Sequence, residues 1–355
     1  MSSTAVRYKG RMAPRKPPAR GLTVAVTGPT GEIGQAVVSA LQRSREVQRV
    51  LGMARKPFDP SEHGWKKVLY RRGDVLDRDA VVALVSGADV VVHLAFIIMG
   101  GPEESRAVNL QGSRNVFEAS VAAGAKRLVY ASSVAAYGYH SDNPQPLTED
   151  VPARGTDSHY YSAQKAEVES LLSETLAGSA TDAYVFRPCI VAGRGAPMLI
   201  DNLPYTQISE RLPAPVARLL DGVPILRPVL PDPGVPFQLV HRDDVAAAMR
   251  AAVLGRGSPG VYNLAGPGQL SVKQLAQELG WYSIPVPELA VDVVAETIGR
   301  LGFLPAQAQW ISAFREPVIM DTTKARRELR WRPEHDALET LRETIAAARL
   351  DPLIR

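Results

Sequence analysis

The amino-acid sequence predicts an α/β protein in which a doubly wound parallel sheet is followed by a smaller, mixed α/β cap. Strand-like and helix-like stretches alternate from Gly21 to about Arg187. Such alternation is typical of βαβ units, which place helices on both faces of a parallel sheet. The run 90–95 is almost continuously apolar, as expected for a strand that is buried on both faces. Beyond Arg187 a proline-rich stretch and amphipathic helices replace the alternation, which indicates a second structural unit.

The individual elements are predicted from the spacing of the apolar residues. Strands are expected at 23–27, 49–54, 68–70, 89–95, 127–132, 183–187 and 261–265. Helices are expected at 32–43, 77–86, 103–123, 158–177, 245–253, 271–279, 288–301, 322–329 and 338–350. Together, these strands and helices predict a sheet domain over 21–187, to which 238–265 returns, and a substrate-binding cap over most of 188–350.

The surplus of basic residues is concentrated at the amino-terminal end. Residues 1–20 carry six Lys and Arg side chains and no acid, and without these six the net charge falls from +4 to −2. The rest of the chain has no basic stripe with interleaved aromatic residues, so no nucleic-acid partner is expected. The tail itself is predicted to be disordered. A transit peptide is the alternative, because the tail is rich in Arg and free of acid.

Neither a membrane segment nor a disulfide is expected. No stretch approaches 18 uninterrupted apolar residues, so no transmembrane helix and no membrane partner are predicted. The basic tail lacks the apolar core of a secretory signal. The single cysteine, Cys189, excludes an intramolecular disulfide and suggests a reducing compartment. The predicted location is cytoplasmic.

Three glycines at three-residue spacing separate the first strand from the first helix. In a dinucleotide-binding turn the first glycine permits the tight turn, the second lets the backbone approach the pyrophosphate, and the third lets helix and strand pack closely. Free N–H groups at the helix start bind the pyrophosphate. The alternative is an ordinary strand-to-helix turn. The residues predicted to bind the cofactor here are Gly28, Thr30, Gly31, Glu32, Ile33 and Gly34.

The end of the second strand distinguishes between the two nicotinamide dinucleotides. In NAD-binding proteins an acid about 20 residues past the glycines binds the ribose 2′-hydroxyl. Here Ala54 stands in that place, and Arg55 and Lys56 follow. Two cations without a carboxylate suit a 2′-phosphate, so NADP is favoured over NAD; the alternative is a solvated turn. Past the third strand, Asp74 and Val75 are predicted to lie at the adenine, with helix N-capping as the alternative role of Asp74.

A tyrosine and a lysine spaced by four, Tyr161 and Lys165, lie on a predicted helix and therefore share a face. A nearby ammonium stabilises phenolate and lowers the pKa of a tyrosine from its ordinary value of about 10. Tyr161 would then be a usable acid or base. Upstream, a predicted strand ends at Ser132 and Ser133, where a hydroxyl can orient a substrate oxygen. The alternatives are a surface Tyr–Lys contact and serines that merely end a strand.

These motifs, in this order, resemble those of the extended short-chain dehydrogenases/reductases of the NAD-dependent epimerase/dehydratase type. The resemblance runs from about Thr23 to about Thr344. It rests on residues 27–34, Gly73–Asp74, 93–95, Val108–Asn109 with Gly112, 131–133 with Tyr137–Gly138, Tyr161 with Lys165, Arg187–Pro188, 241–245, 261–263 and 329–333.

The resemblance implies a Rossmann-type sheet domain and a role for each matching residue. Tyr161 would be the catalytic acid/base, Lys165 would bind the nicotinamide ribose and tune Tyr161, and Ser133 would orient the reacting oxygen. Asn109 would support the helix and active-site waters. The further residues expected along the cofactor are Leu94, Ala95, Pro188 and Ile190. A homodimer through helices 103–123 and 158–177 would also fit the family.

Departures from the family pattern bear on the substrate. Sugar 4,6-dehydratases carry an Asp-Glu pair where this chain has Val134 and Ala135, so that subclass is excluded. Members that act on nucleotide sugars carry an Asn and an Arg at positions that correspond to Ile190 and Phe237. The substrate is therefore expected to be a neutral or partly apolar carbonyl or alcohol. A cleft-facing Arg227 or Arg242 would weaken this expectation. The predicted substrate contacts are Phe96, Ser133 and Phe237.

Three functions remain open on this reading. The first is an NADP-dependent oxidoreductase, and the second is an epimerase that retains its cofactor and uses the same Ser, Tyr and Lys. The third is a non-catalytic protein that senses NADP. His140 and His159 flank the predicted catalytic stretch but are given no role. The spacing of His, Cys and acidic residues indicates no metal site.

Overall fold

The structure is a computed structural model that describes residues 21–201, 203, 228–286 and 316–350. The predicted tail 1–20, the predicted helix 288–301 and Arg227 lie outside the described residues. The chain forms two compact units, which are described separately. The described part of the first, the sheet unit, comprises 21–189, Asp243–Leu264 and Met320–Arg332. That of the second unit comprises 190–201, 203, 228–242, 265–286, 316–319 and 333–350.

The strands and helices are numbered in chain order over the described residues. The strands are β1 (Leu22–Thr27), β2 (Val47–Ala54), β3 (Val68–Arg72), β4 (Val90–His93), β5 (Arg127–Ala131), β6 (Asp182–Pro188), β7 (Ile190–Ala192), β8 (Val229–Asp232), β9 (Leu239–His241), β10 (Gly260–Leu264) and β11 (Tyr282–Pro285). The helices are α1 (Glu32–Arg43), α2 (Arg78–Val85), α3 (Pro102–Arg106), α4 (Ser113–Ala122), α5 (Tyr160–Leu176), α6 (Met198–Asp201), α7 (Arg242–Val253), α8 (Val272–Leu279), α9 (Thr323–Glu328) and α10 (Ala337–Leu350).

The sheet unit is built on seven parallel strands in the order β10-β6-β5-β4-β1-β2-β3. This confirms the predicted α/β class with a doubly wound parallel sheet. After β1 the chain adds β2 and β3 on one side, and then β4 and β5 on the other. The strand order therefore reverses between β1 and β4, and the crevice outside the carboxyl ends of these strands is where such folds bind ligands.

The core of the sheet unit lies where helices cover the sheet. Residues 90–92 of β4 are completely buried, and Val91 packs with Leu128 of β5, Phe117 of α4 and Leu172 of α5. Burying such side chains contributes about 1.5–3 kcal/mol each relative to leaving them exposed. This burial on both faces accounts for the nearly continuous apolar run that predicted the strand.

The single helix predicted at 103–123 is interrupted. Residues 107–112 form a π-helical turn between α3 and α4. Within this turn the Asn109 side chain accepts from Ile97 N at 2.7 Å and donates to Ile97 O at 2.9 Å. Single π-helical turns frequently occur at functional sites. Here the turn holds Asn109 against the backbone that follows β4. The interruption of the helix depends on these tertiary contacts, which the spacing of apolar residues does not reveal.

The described part of the second unit contains two separate two-stranded parallel sheets, β7 with β9 and β8 with β11. The prediction had placed 238–265 with the sheet domain, but β9 pairs with β7, and only Asp243–Leu264 belongs to the sheet unit. Met320–Arg332 also belongs to the sheet unit, although it was predicted as part of the cap. Both shifts depend on strand and helix partners that are distant in the chain. Among the described residues, no helix is both long and apolar enough to span a bilayer.

Candidate active site

The glycine turn follows β1 at the reversal of strand order. Gly28 has a φ of +70°, and a Cβ built there would lie 2.9 Å from Ala95 N. A Cβ on Gly34 would lie 2.1 Å from Gly28 O, so helix and turn approach too closely for a side chain. The nearest contact of a Cβ on Gly31 would be 3.7 Å away. Gly31 is the N-cap of α1 and supplies no side-chain cap, so the amides of the first turn can bind an anion.

The other residues predicted at this turn are partly exposed. Thr30, Glu32 and Ile33 retain solvent contact at the start of α1, and Glu32 is the acidic residue of its first turn. The carbonyl of Thr30 accepts from Gln35 Nε2 at 3.1 Å. These contacts hold the turn against α1 while its outer surface stays open, as binding of a pyrophosphate requires.

The backbone after β2 is fixed by β3, its neighbour in the sheet. Arg72 Nε donates to Arg55 O at 2.9 Å, and Tyr70 donates to Lys56 O. The side chains of Arg55 and Lys56 are exposed, and neither has a carboxylate partner among the described residues. Arg72 is thus a third cation at the same edge, which sequence reasoning missed. The parallel register that pairs Ala54 with Arg72 brings it there.

Asp74 and Val75 connect β3 to α2. The N-cap of α2 is Asp77, whose side chain accepts from Ala80 N at 3.0 Å, so the alternative role suggested for Asp74 is wrong. Asp74 instead accepts from Leu76 N at 3.0 Å within its own turn and keeps partial exposure. Val75 is 5% exposed and lies under Gly112, where a Cβ would approach its Cγ2 to 2.5 Å.

A buried histidine positions the backbone after β4. His93 Nδ1 lies 2.7 Å from Thr27 Oγ1, and its Nε2 lies 2.9 Å from Ser113 Oγ. Ser113 donates its hydroxyl proton to Asn109 O, so its oxygen accepts from His93 Nε2. Thr27 then donates to Nδ1 and accepts from the amides of Leu94 and Ala95, at 3.3 Å each.

This arrangement requires a neutral imidazole. Burial, together with the nearby charge of Lys165, lowers the pKa of His93 to about 3. The neutral ring therefore persists throughout the physiological range. For His93 itself, sequence reasoning gave no role beyond membership of a family motif. Its partners Thr27 and Ser113 depend on the pairing of β1 with β4 and on the packing of α4.

Ser133, Tyr161 and Lys165 meet at the carboxyl end of β5. Ser133 follows β5 and caps a short 3-10 helix by accepting from Ala135 N at 3.2 Å. Ser133 is also hydrogen-bonded to the Tyr161 hydroxyl. Lys165 lies one turn further along α5, where Nζ donates to Ala131 O at 2.7 Å. All three side chains are buried.

Phe96 touches both members of the Tyr–Lys pair. Lys165 Nζ lies 3.6 Å from the centroid of the Phe96 ring, and the ring of Tyr161 meets it edge-on at a centroid distance of 5.7 Å. The same ammonium lies 5.8 Å from the Tyr161 ring centroid. Phe96 therefore forms an apolar wall against the pair, on the segment that Asn109 holds.

The pKa values depart from the expectation based on spacing alone. Burial raises the pKa of Tyr161 to about 12, although the Ser133 hydrogen bond acts in the opposite direction. The predicted lowering of this pKa by Lys165 is therefore wrong for the chain by itself, because desolvation of the phenolate dominates. Burial lowers the pKa of Lys165 to about 7, against the opposing charge of Glu169. The lysine thus titrates near neutral pH while the tyrosine keeps its proton.

A buried ion pair lies beneath these residues, and sequence reasoning missed it. Glu169 is one turn beyond Lys165 on α5, and Arg187 Nε of β6 donates to its Oε1 at 3.0 Å. Ser132 also donates to Glu169, while the Arg187 guanidinium lies 4.2 Å from the ring centroid of Tyr137. Burial opposes the charged guanidinium, but the pairing with Glu169 more than offsets this and raises the pKa of Arg187. The sequence signal that could have revealed Glu169 is its spacing, since Tyr161, Lys165 and Glu169 follow one another at intervals of four and therefore share one face of α5.

The remaining predicted residues are divided between the two units. Pro188 ends β6 in the sheet unit, whereas Ile190 begins β7 in the second unit. Phe237 is 7% exposed in the apolar core of the second unit and pairs through its backbone with Leu270, a position that favours a packing role over substrate contact. Arg242 donates to Gly195 O at 2.7 Å within that unit.

The two flanking histidines have structural roles. His140 Nε2 donates to Gly155 O at 2.6 Å, because a carbonyl can only accept. His159 is the N-cap of α5 and accepts from Ser162 N at 3.3 Å. Burial lowers the pKa of His159 to about 4.

The parallel sheet, its reversal of strand order and the glycine turn at that reversal define a Rossmann-type α/β protein. The profile of the NAD dependent epimerase/dehydratase family matches residues 24–265. The chain belongs to this family, within the extended short-chain dehydrogenases/reductases, which confirms the resemblance inferred from the sequence.

Similar proteins differ in how much of the chain they cover. The uncharacterized protein y4nG of Sinorhizobium fredii (strain NBRC 101917 / NGR234) is 26% identical over 330 residues, 91% of this chain and 77% of its own length. Human 3 beta-hydroxysteroid dehydrogenase type 7 is 35% identical over 167 residues, which are 44% of this chain and 45% of that protein. The chain thus matches less than half of that relative.

Among solved structures, DesIV, a dTDP-glucose 4,6-dehydratase from Streptomyces venezuelae with NAD and TYD bound, superposes with a TM-score of 0.70 at 20% identity. The match covers 93% of this chain and 98% of DesIV. At this identity the likeness shows the fold alone.

Proposed function

We propose that this protein is an NADP-dependent oxidoreductase that transfers hydride between the nicotinamide and the carbonyl or alcohol carbon of a substrate other than a nucleotide sugar. The observation that carries the proposal is the cluster of Ser133, Tyr161 and Lys165 at the carboxyl end of β5. In the sheet, β5 is separated from the glycine turn after β1 only by β4. A proton-transfer group and a dinucleotide-binding turn therefore both lie at the carboxyl ends of nearby strands in the sheet.

The residues of the turn fit a dinucleotide. The amides that begin α1 follow a turn that is too tight for side chains at Gly28 and Gly34. A bound dinucleotide supplies or accepts the hydride. The amides at the start of α1 would hold its pyrophosphate, and the backbone of Leu94 and Ala95, which Thr27 fixes, would line the cofactor.

The protonation states suit carbonyl reduction. Because burial raises the pKa of Tyr161 to about 12, its phenol carries a proton at neutral pH and donates it to the substrate oxygen as the carbon accepts hydride. Ser133 orients that oxygen through its hydroxyl. As an ammonium, Lys165 stabilises the resulting phenolate. Because the pKa of Lys165 is about 7, the lysine carries this charge up to about neutral pH.

The choice of NADP is supported by Arg55 and Lys56, which stand exposed where NAD-binding relatives place an acid. Arg72 adds a third positive charge at the same edge and holds the Arg55 backbone. The solved DesIV structure contains NAD. NADP preference is therefore proposed from this chain's own residues.

An apolar substrate is supported by the Phe96 ring, which meets the Tyr161 ring edge-on. Val134 and Ala135, which follow Ser133 in place of an Asp-Glu pair, argue against a sugar 4,6-dehydratase. The human relative is named for action on a 3β-hydroxysteroid, an apolar secondary alcohol. A hydrophobic ketone or secondary alcohol is the proposed substrate class. An epimerase that retains its cofactor is the second candidate, favoured by the family to which the chain belongs.

The test is titration of purified protein with NADPH and with NADH, followed by turnover of hydrophobic ketones and of nucleotide sugars. We expect tighter binding of NADPH and consumption of NADPH only with ketones. Release of tightly held NAD on denaturation, with interconversion of epimeric sugars, would support the epimerase instead. Binding of neither dinucleotide would overturn both candidates, and binding without turnover would favour the sensing role.

A further inference from the structure

The second unit brings two histidines and a glutamate together. His241 ends β9, His335 precedes α10, and Glu343 lies in the middle of α10. The imidazoles of His241 and His335 are stacked with a centroid distance of 3.8 Å, and His241 Nε2 lies 3.2 Å from Glu343 Oε2. One donor atom from each of the three residues lies within 4.8 Å of the others.

We propose that His241, His335 and Glu343 form a binding site for Zn²⁺ or a similar late first-row divalent cation. Two imidazole nitrogens and one carboxylate oxygen are a donor set that suits such ions. The site is independent of the proposed oxidoreductase function, since all three residues belong to the second unit and none takes part in the dinucleotide or proton chemistry described above.

Coordination of one ion requires the His335 ring to rotate out of its stack with His241, because an imidazole nitrogen binds a metal in the plane of its ring. Bonds of about 2.0–2.1 Å to zinc in a tetrahedral arrangement separate two ligand atoms by roughly 3.3–3.4 Å. The separation of 3.2 Å between His241 Nε2 and Glu343 Oε2 is close to this length. His335 and Glu343 are only partly buried, so their side chains can rotate to complete the site, while the buried His241 anchors it.

The backbone around His241 leaves room for its ring. Gly193 has a φ of +111°, and a Cβ there would lie 2.3 Å from His241 Nε2. The amide of Gly193 donates to Thr344 Oγ1 at 2.8 Å, which ties this glycine to the residue after Glu343. Any side chain at position 193 would therefore overlap the His241 imidazole.

The carboxylate has access to solvent. Glu343 lines an open depression along α10 together with Asp336, Glu339 and Arg342. The neighbouring Arg342 pairs with Glu278 on α8, with Nη2 2.8 Å from Oε1. Three protein ligands leave a fourth position for water on the exposed side.

The experiment uses the full chain after removal of metals by a chelator and dialysis. Zn²⁺ is titrated by calorimetry, and Co²⁺ is titrated by its visible absorption, which reports tetrahedral coordination. We expect one ion per chain, a cobalt spectrum of tetrahedral type and a rise in Tm with zinc.

The variants Glu343→Gln and His335→Asn should each weaken zinc binding more than about a hundredfold, because loss of a ligand exceeds the roughly 10–100-fold effect of losing a second-shell partner. Glu339→Gln, an exposed acid one turn earlier on the same helix, is the matched control and should bind zinc normally. Both test positions are partly exposed, and circular dichroism of the metal-free variants checks their folding.

Absence of zinc binding by the wild-type chain would overturn the proposal and leave a hydrogen-bonded cluster of His and Glu. Binding that persists in both ligand variants, or that falls equally in Glu339→Gln, would overturn it too.

Discussion

Arg187 of β6 and Glu169 of α5 form a buried ion pair in which both side chains are at most 5% exposed. Removing the charge of one partner leaves the other charge uncompensated in the core, which typically costs about 3–5 kcal/mol. We therefore expect Glu169→Gln to lower the free energy of unfolding by about this amount, measured by urea denaturation. Glu167→Gln is the control, because Glu167 pairs with Arg106 at the surface, where such pairs contribute about 0–1 kcal/mol. Equal small effects would show that the buried pair does not stabilise the fold.

The buried ammonium of Lys165 links stability to pH. Its pKa is about 7 in the folded chain and near its ordinary value of about 10.4 when unfolded. Between these values the unfolded state binds more protons, so stability rises with pH across this window. In Lys165→Met this contribution disappears, and the stability advantage of the variant should shrink as pH rises from 7 to 10. Parallel unfolding curves at several pH values measure this difference, with the exposed Lys126→Met as control. A constant difference would contradict burial of the ammonium.

The phenol of Tyr161 is expected to carry the proton transfer. Tyr161→Phe should lower kcat by at least about 10²–10⁴-fold and leave the dissociation constant of NADPH nearly unchanged, because the substitution removes only the hydroxyl. Tyr160→Phe tests the adjacent tyrosine, whose hydroxyl donates to Ile98 O at 2.8 Å. Steady-state kinetics and NADPH titration distinguish the two variants. If both lose activity equally, the effect belongs to the fold of α5 and the assignment is wrong.

Two glycines of the turn should respond differently to alanine. Gly34→Ala places a Cβ 2.1 Å from Gly28 O, and this overlap should destabilise the chain by at least about 1–3 kcal/mol. Gly31→Ala meets no atom closer than 3.7 Å, so stability should be retained while the dinucleotide loses its approach to the backbone. Thermal unfolding and NADPH titration separate these effects. Normal NADPH affinity in Gly31→Ala would argue against pyrophosphate binding at this turn.

Cofactor preference should depend on Arg55 and Lys56. Replacement of both by Ser should weaken NADPH binding at least about tenfold, equivalent to about 1.4 kcal/mol, and leave NADH binding unchanged. Arg71→Ser is the control, since alternate residues of β3 face opposite sides and Arg72 is the residue that contacts Arg55 O. Equal loss for both dinucleotides would indicate a structural effect and remove the basis for NADP.

Elements with strong local patterns were predictable. Helix α1 begins at Glu32 and ends at Arg43, as predicted, because its apolar spacing and the preceding glycines are local signals. The strands β8 and β11 were missed, since each is short and contains proline, at Pro231 and Pro285. Proline is rare inside sheets, so the sequence argued against strands there.

The sequence by itself determined the α/β class and the family, because these depend on the order of elements and motifs along the chain. It also determined that Tyr161 and Lys165 share one helical face, because this depends on spacing within a single element. Only the tertiary structure decided which distant residues meet: Glu169 with Arg187, His93 with Thr27, and His241 with His335 and Glu343. It also decided the direction of the Tyr161 pKa shift, since burial depends on every element packed around the phenol and desolvation outweighs the single charge that spacing suggests.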